Sequence, residues 1–310
     1  MRITGIAYQL GARMESLAEL KTANPDWHVD QLYQKIGIDK RYVAAPDETA
    51  LTLATQAAEK LLAGTGRSGI DALIYVTQTP DSLIPTTACL LHARVGLPAR
   101  ALAFDVNQGC SGFVYALSLA TSLLEAQGLD RCLIVCAETY AKHIAMSDRT
   151  CRPIFSDGAA AVTVERAGAG RIGPFTFVTD GTGAPNLTLR EEAGRPVLFM
   201  DGPAVLLFTM SAVPRAVTEL LARAQLTVAD VDLFVFHQAS RVVIDNIRRA
   251  LKLDDAKVFR NYQELGNTVS ATIPIALKQA EEAGRLVPGK TVLLVGFGVG
   301  YSLAACVVRT

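Results

Sequence analysis

The run Phe104-Asp-Val-Asn-Gln-Gly-Cys110-Ser-Gly-Phe-Val-Tyr-Ala-Leu117 decides how this chain is read. A short apolar strand ending at Val106 breaks at a Gly-Cys turn, and helical spacing of apolar residues begins directly after it. A side chain at such a turn sits at a helix N-terminus, where unpaired N–H groups and the dipole favour an anion. The segment therefore predicts that the Cys110 thiol has a depressed pKa and can serve as a nucleophile. Read alone, the same residues also suit a small buried cysteine in a tight strand-to-helix turn.

Outward from this turn the chain alternates strands and helices. Leu73 to Thr77, Ala103 to Val106 and Cys132 to Cys136 read as strands, with helices at Thr86 to Val95 and Ser111 to Gln127. After a Gly- and Pro-bearing region from Ala167 to Pro185, helices follow at Ala204 to Ala224, Arg241 to Leu251 and Val269 to Ala283. Strands follow at Leu233 to Phe236, Thr291 to Val295 and Tyr301 to Val308. This is an α/β pattern. The two parts echo each other: Gly109-Cys110 and Gly266-Asn267 each open a helix, each helix closes near an Ala/Gly signal, and each is followed by an apolar strand. The echo suggests a duplicated βαβαβ unit, with one half over residues 1–166 and the other over 167–310.

The composition agrees with large buried layers. The chain has 310 residues, half of them hydrophobic and 19% charged, a combination that excludes disorder. Lys+Arg and Asp+Glu both number 30, so no excess of positive charge exists to neutralise a phosphate backbone, and nucleic acid is not expected as a partner. The apolar stretches Thr291 to Val295 and Ala159 to Val164 are strand-sized, short of the roughly 20 residues that span a bilayer. No secretory signal is visible after Met1, so a soluble cytoplasmic protein without membrane contact is expected. The six cysteines, at 89, 110, 132, 136, 151 and 306, contain no C-x-x-C pair, and no metal site is expected.

Two more segments carry candidate chemistry. Leu233-Phe-Val-Phe-His237-Gln-Ala-Ser240 ends an apolar strand on a histidine, the place where sites form in α/β sheets. A structural histidine bonded to a carbonyl is the alternative. In Glu264-Leu-Gly-Asn267-Thr, Asn267 is an ordinary helix N-cap or, if the halves face each other, a donor into a shared cleft. Gly296-Phe-Gly298-Val-Gly300-Tyr-Ser lacks the third glycine of a dinucleotide loop and leads into a strand-like segment. It fits better as a turn bringing backbone N–H groups close to a ligand.

Taken together, Asn-Gln-Gly-Cys110-Ser-Gly-Phe, His237-Gln-Ala-Ser240, Gly266-Asn267-Thr-Val-Ser and Gly298-Val-Gly300 resemble the β-ketoacyl-acyl-carrier-protein synthase III family of the thiolase fold. Gly37-Ile38 with Arg41, Ala44 to Thr49, Asp148-Arg149, Phe155 to Gly158 and Met200-Asp-Gly202 support the match, which runs over nearly the whole chain. The resemblance implies two pseudo-symmetric halves packed in five layers (α-β-α-β-α).

It also implies that Cys110 accepts an acyl group from acyl-coenzyme A, with the backbone N–H groups of Cys110 and Val299 as oxyanion hole. His237 and Asn267 would stabilise the enolate formed when a malonyl thioester on acyl carrier protein loses carbon dioxide. No bound cofactor is implied, coenzyme A or phosphopantetheine thioesters being substrates. Arg149, Gly202, Leu206, Ala239, Ser240 and Phe297 match positions along the tunnel for the phosphopantetheine arm. Arg241, Arg248, Arg249 and Lys252 on one helix are a candidate carrier-protein patch, or simply a solvated face. A homodimer is implied, with the region of Ile84 at the acyl pocket.

Several positions depart from the family pattern. Ser240 stands for the usual Asn, Val299 for a tunnel-mouth glycine and Ile84 for an aromatic residue. Trp27 is displaced from the adenine-stacking position, and Asn24 to Ile36 is remodelled. These differences favour a pathway-specific relative whose starter differs from acetyl-coenzyme A. The alternatives are an acyltransferase on the same fold, with Cys110 and His237 acylating an alcohol or amine, and a non-catalytic partner subunit. The retained Asn267 and Cys110 argue against each in turn.

Overall fold

The computed structural model describes residues 1–168 and 170–310. Two sheets form its frame. The first contains β1 (Arg2–Leu10), β2 (Ala72–Val76), β3 (Leu102–Val106), β4 (Arg131–Glu138) and β5 (Gly158–Glu165) in the order β1-β5-β4-β2-β3. The second contains β6 (Arg171–Thr179), β7 (Leu233–Phe236), β8 (Thr291–Gly298) and β9 (Ser302–Arg309) in the order β7-β8-β9-β6. Pairing directions repeat. β2 runs parallel to β4 as β7 does to β8, while β4 is antiparallel to β5 as β8 is to β9. Even the edge strand β3 has its counterpart in a parallel bridge between Phe234 and Val258.

Three helical layers complete a five-layer thiolase fold. One core joins α1 (Ala50–Thr65) and α2 (Thr87–Arg94) to the outer face of the first sheet. Another joins α4 (Gly202–Ala224) and α5 (Arg241–Ala250) to the outer face of the second. Between the sheets lie α3 (Gly112–Ala126) and α6 (Thr272–Glu282), whose Phe113, Leu117, Ile273 and Leu277 share one core with both inner faces. Because they are covered on two sides, these helices are apolar around most of their circumference. Each buried Leu or Phe there removes enough surface from water to contribute about 1.5–3 kcal/mol.

The strands follow from the same burial. Every residue of β2 and of β7 is buried, and such strands read as continuous Val/Ile/Leu-rich runs without alternation. β6, by contrast, lies inside the Gly- and Pro-bearing region from Ala167 to Pro185, to which the sequence assigns no strand. It is an edge strand paired only with β9, a position where Gly173 and Pro174 cost no inner ladder.

The expectation that nothing approaches membrane-spanning length needs correction. The 23-residue α4 is long and apolar enough by composition, yet Val213, Ala216, Val217, Leu220 and Leu221 bury one face of it in the second outer layer. Its apolar content reflects burial at the sheet.

Candidate active site

Cys110 ends the strand-to-turn segment, with Ser111 as the cap before α3. His237 follows β7 directly, and its backbone N–H donates to the Val295 carbonyl, so the parallel pairing with β8 carries it to the strand end. Gln238 then locks the turn: its Nε2 donates to the Phe236 carbonyl at 2.7 Å and its Oε1 accepts from Asn261 N–H at 2.9 Å.

Asn267 is held by the other half of the molecule. Its N–H donates to the Ile154 carbonyl at 2.9 Å, and its carbonyl accepts from Ser156 N–H at 2.8 Å, a parallel bridge centred on Phe155. Two further cross-links sit nearby: Ser270 Oγ–H donates to Glu138 at 2.9 Å, and the Ser111 and Ser302 hydroxyls are bonded at 2.6 Å.

These constraints bring Cys110, His237 and Asn267 to one cavity of about 670 Å³. The side chain of each is oriented by a specific bond. Asn267 Oδ1 accepts from Val269 N–H at 2.9 Å, the cap-like role legible in the sequence, which leaves Nδ2 free to donate into the cavity. The Thr272 hydroxyl donates to the Val269 carbonyl at 2.9 Å and so accepts from His237 Nδ1–H at 2.7 Å. That arrangement leaves Nε2 with its lone pair. If the same hydroxyl turns to donate to Nδ1, Nε2 becomes a donor, so Thr272 supports both roles a histidine needs here. The His237 ring also meets Phe297 edge to face, 5.5 Å between centroids.

The loop after β8 supplies the remaining donors. The Val299 and Cys110 N–H groups lie close enough to the Cys110 thiol to favour its anionic form. Gly298 allows this approach, since a Cβ there would lie 2.9 Å from Sγ on a backbone with φ +156. The glycine-rich turn thus lies against the sulfur, and β8 continues as a hairpin into β9, as no dinucleotide loop does.

One expectation is overturned. Burial, reinforced by the nearby Glu138 carboxyl, pushes the Cys110 thiol up to about 12 against the pull of the two N–H donors. A helix terminus contributes about 0.3–1 kcal/mol, whereas full burial shifts a group by up to roughly 3–5 pKa units, so burial prevails. Burial also lowers His237 to about 3, so the pair rests as neutral thiol and neutral imidazole. The thiolate is the form that alkylates. Iodoacetamide labelling of Cys110, read by peptide mapping to separate it from the exposed Cys89, should therefore rise about tenfold per pH unit from 7 to 10. A plateau already reached below pH 8 would mean a preformed ion pair.

Arg149, Gly202, Leu206, Ala239, Ser240 and Phe297 all line the same cavity. Val299 does not; it lines a neighbouring one. Ile84 lines neither and is 92% exposed on its own chain, a position only a second molecule could turn into a pocket wall. Arg241, Arg248 and Arg249 lie on α5, but Lys252 does not: it stands past the helix end with φ 53, so the four are not on one helix, and none of them lines the cavity. Arg248 pairs with Asp255 at 3.3 Å, so the patch carries less free charge than its residue count suggests, while Arg241 lies 5.0 Å over the Tyr33 ring. Trp27 is buried beside Arg149 and Arg152, which lie over its ring.

Sequence reasoning missed three contributors. Leu32, Lys35 and Ile36 of the remodelled segment form a helix face at the cavity. Thr272 is hidden inside a helix start. Glu138 is fully buried, accepting from Gln78 N–H, Thr79 and Ser270, and burial raises it to about 8. Its placement at the end of an apolar strand was the available signal.

The family described as 3-oxoacyl-[acyl-carrier-protein (ACP)] synthase III matches residues 104–181, and its C-terminal counterpart matches 221–310. A β-ketoacyl-[acyl-carrier-protein] synthase III of Synechocystis sp. is 33% identical over 312 residues, covering 95% of this chain and 92% of its own. This chain belongs to the β-ketoacyl-acyl-carrier-protein synthase III family. A synthase III structure from Thermus thermophilus superimposes with a TM-score of 0.93 at 37% identity, covering 100% of this chain and 99% of its own. The priming β-ketosynthase of the R1128 polyketide pathway does so with a TM-score of 0.92 at 31% identity, covering 99% and 96%. As a family member the chain is an acyl-transferring condensing enzyme, of the type used in fatty-acid and polyketide synthesis.

Proposed function

We propose that Cys110 takes an acyl group from acyl-coenzyme A and that the enzyme extends it by two carbons from malonyl-acyl-carrier protein. The observation that carries this reading is the meeting of a thiol, a neutral imidazole and a free amide in one cavity, with the Gly298 turn packed against the sulfur.

In the first half-reaction the Cys110 sulfur attacks the thioester carbonyl and the bond to the coenzyme A sulfur breaks. The thiol proton passes to His237 Nε2 and on to the departing thiolate. Since both resting groups are neutral, the proton leaves as the new bond forms. The Cys110 and Val299 N–H groups hold the oxyanion.

In the second half-reaction the malonyl carboxylate leaves as carbon dioxide and its electron pair becomes an enolate, held by Asn267 Nδ2–H and His237 Nε2–H. The carbanion attacks the acyl carbonyl, the bond to Cys110 breaks, and the sulfur leaves as a thiolate that takes up one proton from water. Decarboxylation generates the carbanion, so no carboxylate base is required.

Arg149, Gly202, Leu206, Ala239, Ser240 and Phe297 serve the pantetheine arm in this reading, and Arg241, Arg248, Arg249 and Lys252 receive the acidic carrier protein. The exposed Leu83 and Ile84 support a homodimer in which Ile84 reaches the partner's acyl site. The enzyme works in the cytoplasm without a bound cofactor.

The test supplies an acyl-coenzyme A and malonyl-acyl-carrier protein together. Carbon dioxide release in step with a 3-oxoacyl product is expected. Transfer of the acyl group to an alcohol or amine without carbon dioxide would overturn the reading in favour of simple acyl transfer.

A further inference from the structure

A second cavity, of about 270 Å³, adjoins the first. Leu187 lines both, and Cys110 packs in one cluster with Tyr140, Leu187 and Leu198, all of which line the second. Gly109 completes the contact: a Cβ at that position would collide with Gln78 and Val299, two further walls of this space. The sulfur is thus one side chain away from it.

The chemistry of this wall differs from that of the first cavity. Gln78, Asn107, Tyr140 and His143 contribute to it, and no Asp, Glu, Lys or Arg is among the described residues lining it. The Tyr140 hydroxyl donates to Gln78 Oε1 at 2.5 Å, which fixes the amide and leaves the Nε2 hydrogens for another acceptor. His143 Nδ1–H donates to the Pro196 carbonyl at 3.4 Å, leaving Nε2 as an acceptor. The cavity therefore offers a donor and an acceptor, with no Lys or Arg among the described residues that line it. A plain alkyl chain would leave the part-buried Gln78 amide without a partner. A carboxylate would meet no Lys or Arg.

We infer that the acyl group carried by Cys110 is a short chain bearing an uncharged oxygen substituent, a hydroxyl, keto or amide group, bound in this second cavity by Gln78 and His143. The inference rests on the acyl-Cys110 reading above and specifies the starter class. Gln78 and Tyr140 set the preference, Tyr140 by fixing the amide of Gln78.

The experiment exposes the enzyme briefly to equimolar butanoyl-, 3-hydroxybutanoyl- and succinyl-coenzyme A and reads the adducts by intact mass. Acetyl-coenzyme A, whose acyl group is too short to need the second cavity, is tested separately. The 3-hydroxybutanoyl adduct is expected to form about tenfold faster than the butanoyl adduct, with succinyl slowest. In Gln78→Leu/Tyr140→Phe the preference should invert toward butanoyl. Butanoyl or succinyl acylation as fast as 3-hydroxybutanoyl in the unmodified enzyme, with acetyl adduct present, overturns this inference and spares the acyl-Cys110 reading. Absence of an adduct from all four donors overturns both.

Discussion

Cys110→Ala is expected to abolish the acyl adduct and to lower 3-oxoacyl formation by roughly five to six orders of magnitude, the scale on which removal of a covalent nucleophile acts. The substitution removes one sulfur from a buried site that Gly298 already crowds, so the fold should tolerate it, as a thermal unfolding curve will verify. Carbon dioxide release from malonyl-acyl-carrier protein should survive, because Asn267 and His237 do not depend on the thiol. An intact-mass adduct that persists in Cys110→Ala would move the nucleophile elsewhere, and loss of both activities with an intact fold would mean that decarboxylation requires the acyl-enzyme.

Asn267→Asp is expected to lower carbon dioxide release and condensation by about 10²–10³-fold, the cost of losing one donor to a developing oxyanion. Aspartate is the informative replacement. It keeps the oxygen that accepts from Val269 N–H, whereas alanine would leave that buried group unpaired at a cost of about 1–3 kcal/mol. What changes is the other atom, from a donor to an acceptor. Acylation of Cys110 should stay within a few-fold, since Asn267 belongs to the second half-reaction. The measurement is a comparison of adduct formation with carbon dioxide release in the same preparation. Unchanged condensation in Asn267→Asp would remove Asn267 from the mechanism.

Much of the frame was legible because burial leaves marks on local sequence. Ala72–Val76 and Leu233–Phe236 are covered on both faces, so each appears as an unbroken apolar run, and the repeat of strand, turn and helix around Cys110 and Asn267 announced the duplication. Arg171–Thr179 was opaque for the opposite reason. An edge strand with one partner tolerates Gly and Pro, and those residues also spell loop. The region before residue 70 carried α1 and β1 without a sharp local signal, since β1 is mostly only half-buried.

For the site, sequence alone determined which side chains stand at strand ends and helix starts, because chain direction and turn residues set those positions locally. It could not determine that Phe155 and Asn267 pair across the two halves, that Thr272 reaches the His237 ring, or that Gly298 lies against the Cys110 sulfur. Nor could it give the sign of the thiol's pKa shift. A helix terminus is visible in ten residues, while the loss of solvent that outweighs it arises from residues nearly 200 positions apart closing over the same atom.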